Sequence, residues 1–276
     1  MAELTELARR PLGVFDSGLG GLTVVRALRA RLPAEDIVYL GDTARVPYGT
    51  KGPDTVVRYA EACTDFLVQL GVKGVVIACN TVSAVAPPTL RERFDVPVMA
   101  VIEPGAEAAV RATTTGRIAV LATAGTVASG AYPRAIKQRM ANAEVHAKSA
   151  PLLVPLAEEG WTEGQVPDLV VRAYMNDLKD TEVDTIILGC THYPLLRAVI
   201  EQAARDILGS HVRVIDSAEA VTDHVLAELG KRGLLHPDAE RTGNTELNVT
   251  DLPASFGRVA ERFLGAGLGN VRQVDL

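Results

Sequence analysis

VKGVVIACNT at residues 72–81 and VDTIILGCTH at residues 183–192 decide the fold of this chain. Each segment is a short run rich in Val and Ile that ends in a cysteine and two polar residues. Continuous apolar runs of this length are typical of strands buried on both faces of a parallel sheet. The two segments therefore predict two equivalent buried strands, each with a cysteine at its carboxyl end.

Similar apolar runs alternate with longer amphipathic segments along the chain. The predicted strands are 12–16, 36–41, 73–78, 97–102, 117–122, 144–149, 184–189, 211–215 and 244–249. The predicted helices are 20–31, 53–70, 82–94, 104–113, 131–141, 164–178, 194–208, 218–231 and 254–264. Regular alternation of strands and helices predicts an α/β fold with doubly wound, mostly parallel sheets.

The chain also repeats itself in a constant order. The matched pairs are Cys79 with Cys190, Glu103 with Asp216, and Asp16 with Thr123, at offsets of 111, 113 and 107 residues. A duplication predicts two α/β domains related by a pseudo-twofold, with the site in a cleft where the carboxyl ends of their strands meet. We assign residues 1–103 plus 217–276 to the first domain and 104–216 to the second. Chance similarity between Val-rich strands is the alternative explanation.

Composition and charge narrow the classes of partner and location. A net charge of -6 without a basic stripe argues against nucleic acid or an anionic membrane as the main partner. Residues 1–10, MAELTELARR, lack the apolar core of a signal peptide, and no apolar run reaches transmembrane length. The sequence therefore predicts a cytoplasmic protein, with residues 1–10 frayed.

The three cysteines differ in their surroundings. Cys63 lies in an amphipathic helical pattern and is predicted to pack in the core. Cys79 and Cys190 each follow a strand and precede a helix, whose N-terminus favours a thiolate, and His192 can polarise the second of them. Without a C-x-x-C element, a zinc site or a redox disulfide is a weaker reading of these two thiols than acid–base chemistry on opposite faces of one carbon.

Two polar loops are further candidates for ligand binding. DSGLGG at 16–21 lacks the third glycine of a dinucleotide loop, because Thr23 stands there, and lacks the lysine of a P-loop. It predicts either a site for an ammonium and a carboxylate, formed by Asp16, Ser17 and backbone N–H groups, or a plain strand-to-helix turn. GDTARVPYGTK at 41–51 either offers the Tyr48 hydroxyl and backbone N–H groups to an anion or carries no function.

Taken together, FDSGLGGLTV, YLGDTARVPYGTK, ACNTVSA and LGCTHYPLL resemble the glutamate racemase family of the aspartate/glutamate racemase superfamily. The resemblance runs in order from about residue 12 to residue 257. It implies two α/β domains with the active site between them and conversion of L-glutamate to D-glutamate without cofactor or metal. It further implies a supply of D-glutamate for peptidoglycan synthesis and a homodimer as the default assembly.

The resemblance also implies roles for individual residues. In the family pattern, Cys79 takes the α-proton from D-glutamate and Cys190 takes it from L-glutamate, with Asp16 and His192 assisting. The substrate-contact positions of the family fall on Asp16, Ser17, Tyr48, Gly49, Asn80, Thr81, Thr191 and His192.

Three other functions compete with this interpretation. A racemase of the same superfamily acting on aspartate or a hydantoin would share the cysteine pair and differ in the side-chain pocket. A regulatory protein on the same fold would bind metal or glutamate without turnover. A contact with DNA gyrase, which some members of the family make, is the third.

Overall fold

The computed structural model describes residues 2–252, 256–265, 267 and 270–276. Its strands are β1 Leu12–Asp16, β2 Ile37–Gly41, β3 Val75–Ile77, β4 Val98–Ala100, β5 Arg117–Ala122, β6 Glu144–Ser149, β7 Thr185–Gly189, β8 Arg213–Asp216, β9 Thr245–Val249 and β10 Val271–Gln273. Its α-helices are α1 Ala2–Arg9, α2 Leu22–Arg31, α3 Pro53–Gln69, α4 Asn80–Ser83, α5 Pro87–Arg93, α6 Ile102–Ala112, α7 Ala124–Ser129, α8 Ala131–Arg139, α9 Leu153–Glu159, α10 Gln165–Asn176, α11 Arg197–Ile207, α12 Ser217–Arg232 and α13 Phe256–Leu264.

The described strands form two sheets in which every neighbouring pair is parallel. The first sheet has the order β10-β9-β2-β1-β3-β4, and the second has the order β6-β5-β7-β8. The order β2-β1-β3-β4 thus recurs as β6-β5-β7-β8, with the strands before Cys79 and Cys190 in equivalent places. The predicted α/β class with two parallel sheets is confirmed, and the repeated order supports the duplication.

The end of the chain returns to the first sheet. Strand β9 pairs with β2, and β10 pairs with β9. This pairing supports our proposal that residues 1–103 plus 217–276 form one domain and 104–216 the other.

Some local predictions are wrong or incomplete. The structure contains α1, α7, α9 and β10 where no element was predicted, and the predicted helix 82–94 is divided into α4 and α5. The first two residues of the predicted helix 254–264 lie outside the described residues, as does Met1. Within the described residues, no helix has the length and apolar character needed to cross a membrane.

Helix α1 corrects the prediction that residues 1–10 are frayed. The ammonium of Lys73 donates a hydrogen bond of 2.8 Å to the carbonyl of Ala8 and forms an ion pair with Glu35. All three residues are buried. Because a buried charge is tolerated when it is paired and hydrogen-bonded, this contact holds α1 against the first sheet, which the local sequence did not indicate.

Candidate active site

A cavity of about 680 Å³ lies at the carboxyl ends of the strands of both sheets. The loops after β1, β2 and β3 line one side, and the loops after β5, β6 and β7 line the other. The candidate residues in its wall are Ser17, Tyr48, Gly49, Cys79, Asn80, Thr81, Cys190, Thr191 and His192. Asp16 is the exception among the candidates, since it is fully buried behind the wall.

Cys79 lies between β3 and α4 and is 6% exposed. Its Sγ is 3.4 Å from Oγ of Ser17, to which the thiol donates. Burial, together with the negative charge of Asp16, raises the pKa of the thiol to about 12, although the Ser17 hydroxyl and the N–H of Val82 act in the opposite direction. The prediction that the helix N-terminus favours a thiolate here is therefore wrong in its outcome, because burial outweighs the backbone contribution.

Cys190 follows β7 and lies beside a histidine whose ring nitrogens both have partners. Sγ of Cys190 is 3.8 Å from Nδ1 of His192, and Nε2 of His192 is 3.0 Å from Oε1 of Glu158. Phe263 packs edge-on against the imidazole with ring centroids 5.0 Å apart. Burial alone lowers the pKa of His192, but the contacts with Cys190 and Glu158 outweigh it and raise that pKa to about 10. The imidazole is thus a cation at neutral pH, next to the sulfur.

Asp16 ends β1 beneath the two cysteine loops. Its Oδ2 accepts a hydrogen bond of 3.0 Å from the N–H of Gly18. Its Oδ1 is buried and has no hydrogen-bond partner among the described residues. Burial raises the pKa of this carboxyl group, while the charge of His192 and backbone N–H groups lower it. Asp16 therefore acts on both sides of the site through its charge.

Asn80 and Thr81 join the two walls of the cavity. The hydroxyl of Tyr132, on α8, donates a hydrogen bond of 2.7 Å to Oδ1 of Asn80. Oγ1 of Thr81 is 3.0 Å from Oγ1 of Thr123, which caps α7. These bonds connect loops of the first sheet to helices that follow strands of the second, so they set the width of the cavity between them.

The hydroxyl of Tyr48 already has a partner. It donates to Oδ2 of the fully buried Asp42, whose other oxygen accepts a hydrogen bond of 2.9 Å from Thr250. The predicted contact between this hydroxyl and an anion therefore does not fit the observed geometry. The N–H groups of Tyr48 and Gly49, which begin the 3-10 turn Tyr48–Thr50, have no acceptor inside that turn, and both residues line the cavity.

Sequence reasoning missed residues from two helices at the cavity. Glu158, on α9, contacts His192, and Arg262, on α13, donates a hydrogen bond of 2.6 Å to the carbonyl of Glu158. The one local signal for α9 is Gly160, which ends the helix in the left-handed conformation. Within the described residues, no group of three or more His, Cys, Asp or Glu side chains is placed to hold a metal ion.

The family model described as Asp/Glu/Hydantoin racemase matches residues 22–225. The chain belongs to this family. It is 49% identical to a glutamate racemase from Geobacter metallireducens over 97% of each chain. This similarity confirms the resemblance to the glutamate racemase branch drawn from the motifs, and the members of that branch are isomerases.

Two solved structures show how far the similarity extends in three dimensions. A glutamate racemase from Francisella tularensis in complex with D-glutamate matches with a TM-score of 0.89 and 36% identity, over 97% of this chain and 98% of that one. A glutamate racemase from Thermus thermophilus in complex with beta-chloro-D-alanine matches with a TM-score of 0.86 and 44% identity, over 98% of each. The two-sheet architecture is therefore that of glutamate racemases over nearly the whole length.

Proposed function

We propose that this protein interconverts L- and D-glutamate by proton transfer between two cysteines, with no cofactor or metal. The observation that carries the proposal is the placement of Cys79 and Cys190. They follow equivalent strands of two repeated sheets and line one cavity. The family relationship and the glutamate racemases most similar to the chain support glutamate as substrate.

In the direction from L-glutamate, the thiolate of Cys190 removes the α-proton and the thiol of Cys79 delivers its own proton to the opposite face. The reaction leaves Cys190 as thiol and Cys79 as thiolate, which is the form that accepts D-glutamate. Two enantiomers have equal free energy, so the equilibrium constant is one and kcat/KM is the same in both directions. Because the cysteine that delivers the proton in one direction removes it in the reverse direction, the roles of the two cysteines exchange with the handedness of the substrate.

The carbanion formed at the α-carbon needs stabilisation because the α-proton of an amino acid is very weakly acidic. The cavity is lined by Tyr48, Gly49, Asn80, Thr81 and Thr191, and we assign their backbone N–H and side-chain polar groups to binding the substrate carboxylates. The negative charge of Asp16 keeps the substrate ammonium protonated. A protonated ammonium acidifies the α-carbon next to it.

The two thiols lie in different surroundings. A pKa of about 12 keeps Cys79 protonated, whereas Cys190 lies 3.8 Å from an imidazole that is cationic at neutral pH. Cys79 therefore rests as the thiol, which is the form that delivers a proton to the intermediate formed from L-glutamate.

Alkylation tests this asymmetry. Iodoacetamide at neutral pH is expected to modify Cys190 about 10-fold faster than Cys79, because burial holds Cys79 in the thiol form and the thiolate is the reactive form. Peptide mass spectrometry over a time course measures both rates. Cys63, which is fully buried, serves as the internal control and stays unmodified in the folded protein. Equal rates at the two active-site cysteines would contradict the assignment.

Glu158→Gln is expected to move the alkaline limb of the kcat/KM profile to lower pH. The carboxylate of Glu158 helps to raise the pKa of His192 to about 10, and activity depends on the imidazolium, which is present below that pKa. Removing the charge lowers the pKa, so the imidazolium is lost at a lower pH. Kinetics across the alkaline range measure the limb, and Glu163→Gln, an exposed charge change on the same domain, leaves it in place. An unmoved limb in Glu158→Gln would exclude His192 as its source.

Optical rotation distinguishes glutamate racemisation from its competitors. We expect solutions of L-glutamate and of D-glutamate each to lose optical rotation when the protein is added, with EDTA present and no cofactor. Aspartate should react much more slowly. Faster turnover of aspartate or of a hydantoin would assign another activity of the same family. Tight glutamate binding without loss of rotation would favour a regulatory, ligand-binding function.

We also propose the biological setting that the family resemblance implies. The D-glutamate produced would feed peptidoglycan synthesis in the cytoplasm, and the protein would act as a homodimer. The acidic net charge of -6 supports the absence of nucleic acid as a direct partner.

A further inference from the structure

Thr23 forms a hydrogen bond that connects the first domain to the loop of Cys190. It is the second residue of α2 and is 2% exposed. Its Oγ1 lies 2.9 Å from the carbonyl oxygen of Gly20 and 3.1 Å from the carbonyl oxygen of Thr191, which is 168 residues away. Thr191 lies between Cys190 and His192, so the hydroxyl reaches the chain segment that carries the second base.

The hydroxyl has one hydrogen and two acceptors in reach. It therefore shares its proton between a carbonyl of its own turn and a carbonyl of the other domain, as a three-centre bond. The two turns are also in direct contact, since a Cβ at Gly20 would lie 2.2 Å from Oγ1 of Thr191 and 2.5 Å from Nδ1 of His192.

The same short segment also holds the other cysteine. The thiol of Cys79 donates to Oγ of Ser17, at the start of the turn that ends at Thr23. The sulfur of Cys79 is thus hydrogen-bonded to residue 17, and the loop of Cys190 is hydrogen-bonded to residue 23. The segment between them, held by backbone bonds from Thr23 to Gly20 and from Val24 to Gly21, sets the separation of the two thiols.

We propose that Thr23 is a positioning residue for the racemisation, which acts by holding the main chain between Cys190 and His192 through its hydroxyl. The inference rests on the proposed function. Thr23 does not line the cavity and touches no reacting atom. Its effect is on the distance over which a proton passes between a thiol and the substrate, and a misplacement of about 1 Å costs on the order of 100-fold in rate.

Thr23→Val and Thr23→Ser test the role of the hydroxyl. Valine replaces it by a methyl group of similar size, whereas serine keeps it. We expect Thr23→Val to lower kcat in both directions by about 10-fold, with KM little changed. Thr23→Ser restores most of kcat, which a role in packing alone would not produce. Thermal unfolding of both variants is measured alongside, and if the valine variant does not fold, Thr23→Ala carries the same expectation.

Thr222→Val is the matched control. The Thr222 hydroxyl is equally buried and donates a hydrogen bond of 2.8 Å within its own helix, α12, so its loss leaves kcat unchanged. Retention of wild-type kcat in Thr23→Val, an effect on KM alone, or equal losses in the serine and valine variants would each overturn the inference while leaving the proposed function intact. A wild-type protein that does not racemise glutamate would overturn the proposed function, and this inference with it.

Discussion

Cys79→Ala and Cys190→Ala are each expected to lower kcat for glutamate racemisation about 1000-fold in both directions, because each removes one of the two groups that transfer the proton. In the proposed mechanism either cysteine is the base for one enantiomer and the acid for the other, so neither direction can proceed with one thiol. Initial rates by optical rotation with each enantiomer measure the loss. The double variant should be hardly worse than the single ones, since the pair acts as a unit.

Cys63→Ala separates the loss of a catalytic thiol from the loss of any buried cysteine. Cys63 is fully buried in α3 and has no counterpart in the second half of the chain. Its alanine variant should keep kcat close to the wild-type value. Full activity in either Cys79→Ala or Cys190→Ala would contradict the two-base account.

Gly20→Ala should lower kcat/KM by on the order of 100-fold, because it displaces the side chains of Thr191 and His192 beside Cys190. The added Cβ would lie 2.2 Å from Oγ1 of Thr191 and 2.5 Å from Nδ1 of His192, and real Cβ contacts are essentially never below 3.0 Å. The side chains of Thr191 and His192 must therefore shift. Initial rates and the alkylation rate of Cys190 should change together, since the displaced histidine no longer has the same distance to the sulfur.

Gly52→Ala is the control for this substitution. Gly52 precedes α3 with ordinary backbone angles, and nothing lies within 4 Å of a Cβ built there. The variant should have wild-type kinetics. If Gly20→Ala also had wild-type kinetics, the close contact between the two loops would not matter for the reaction.

The fold and the cysteine pair were predictable because both are encoded in local patterns. Val-rich runs of strand length indicate buried parallel strands wherever they occur, and the repeat around Cys79 and Cys190 places two of them in equivalent positions. The same periodicity predicted most of the observed strands within a few residues. Strand β10 was missed because Val271–Gln273 is a short edge strand with mostly exposed residues.

The electrostatics of the site depend on contacts between distant parts of the chain and could not be predicted locally. Glu158 meets His192 across 34 residues and lies on a helix that the sequence did not indicate. Burial of Cys79 raises its pKa, although its place before a helix predicts the opposite. The Tyr48 hydroxyl turns to Asp42, which is six residues away in sequence and is fixed by Thr250 at the end of β9.

The central claim is that two different groups handle the proton, one on each face of the α-carbon. Proton NMR of L-glutamate and, separately, D-glutamate in D2O tests it most directly, with EDTA present and no cofactor added. The account predicts that, at early times, the enantiomer formed carries deuterium at the α-carbon while the remaining substrate keeps its proton, from either starting enantiomer. Return of the original proton to the product would require a single base, and the absence of both exchange and racemisation from either enantiomer would exclude glutamate as the substrate.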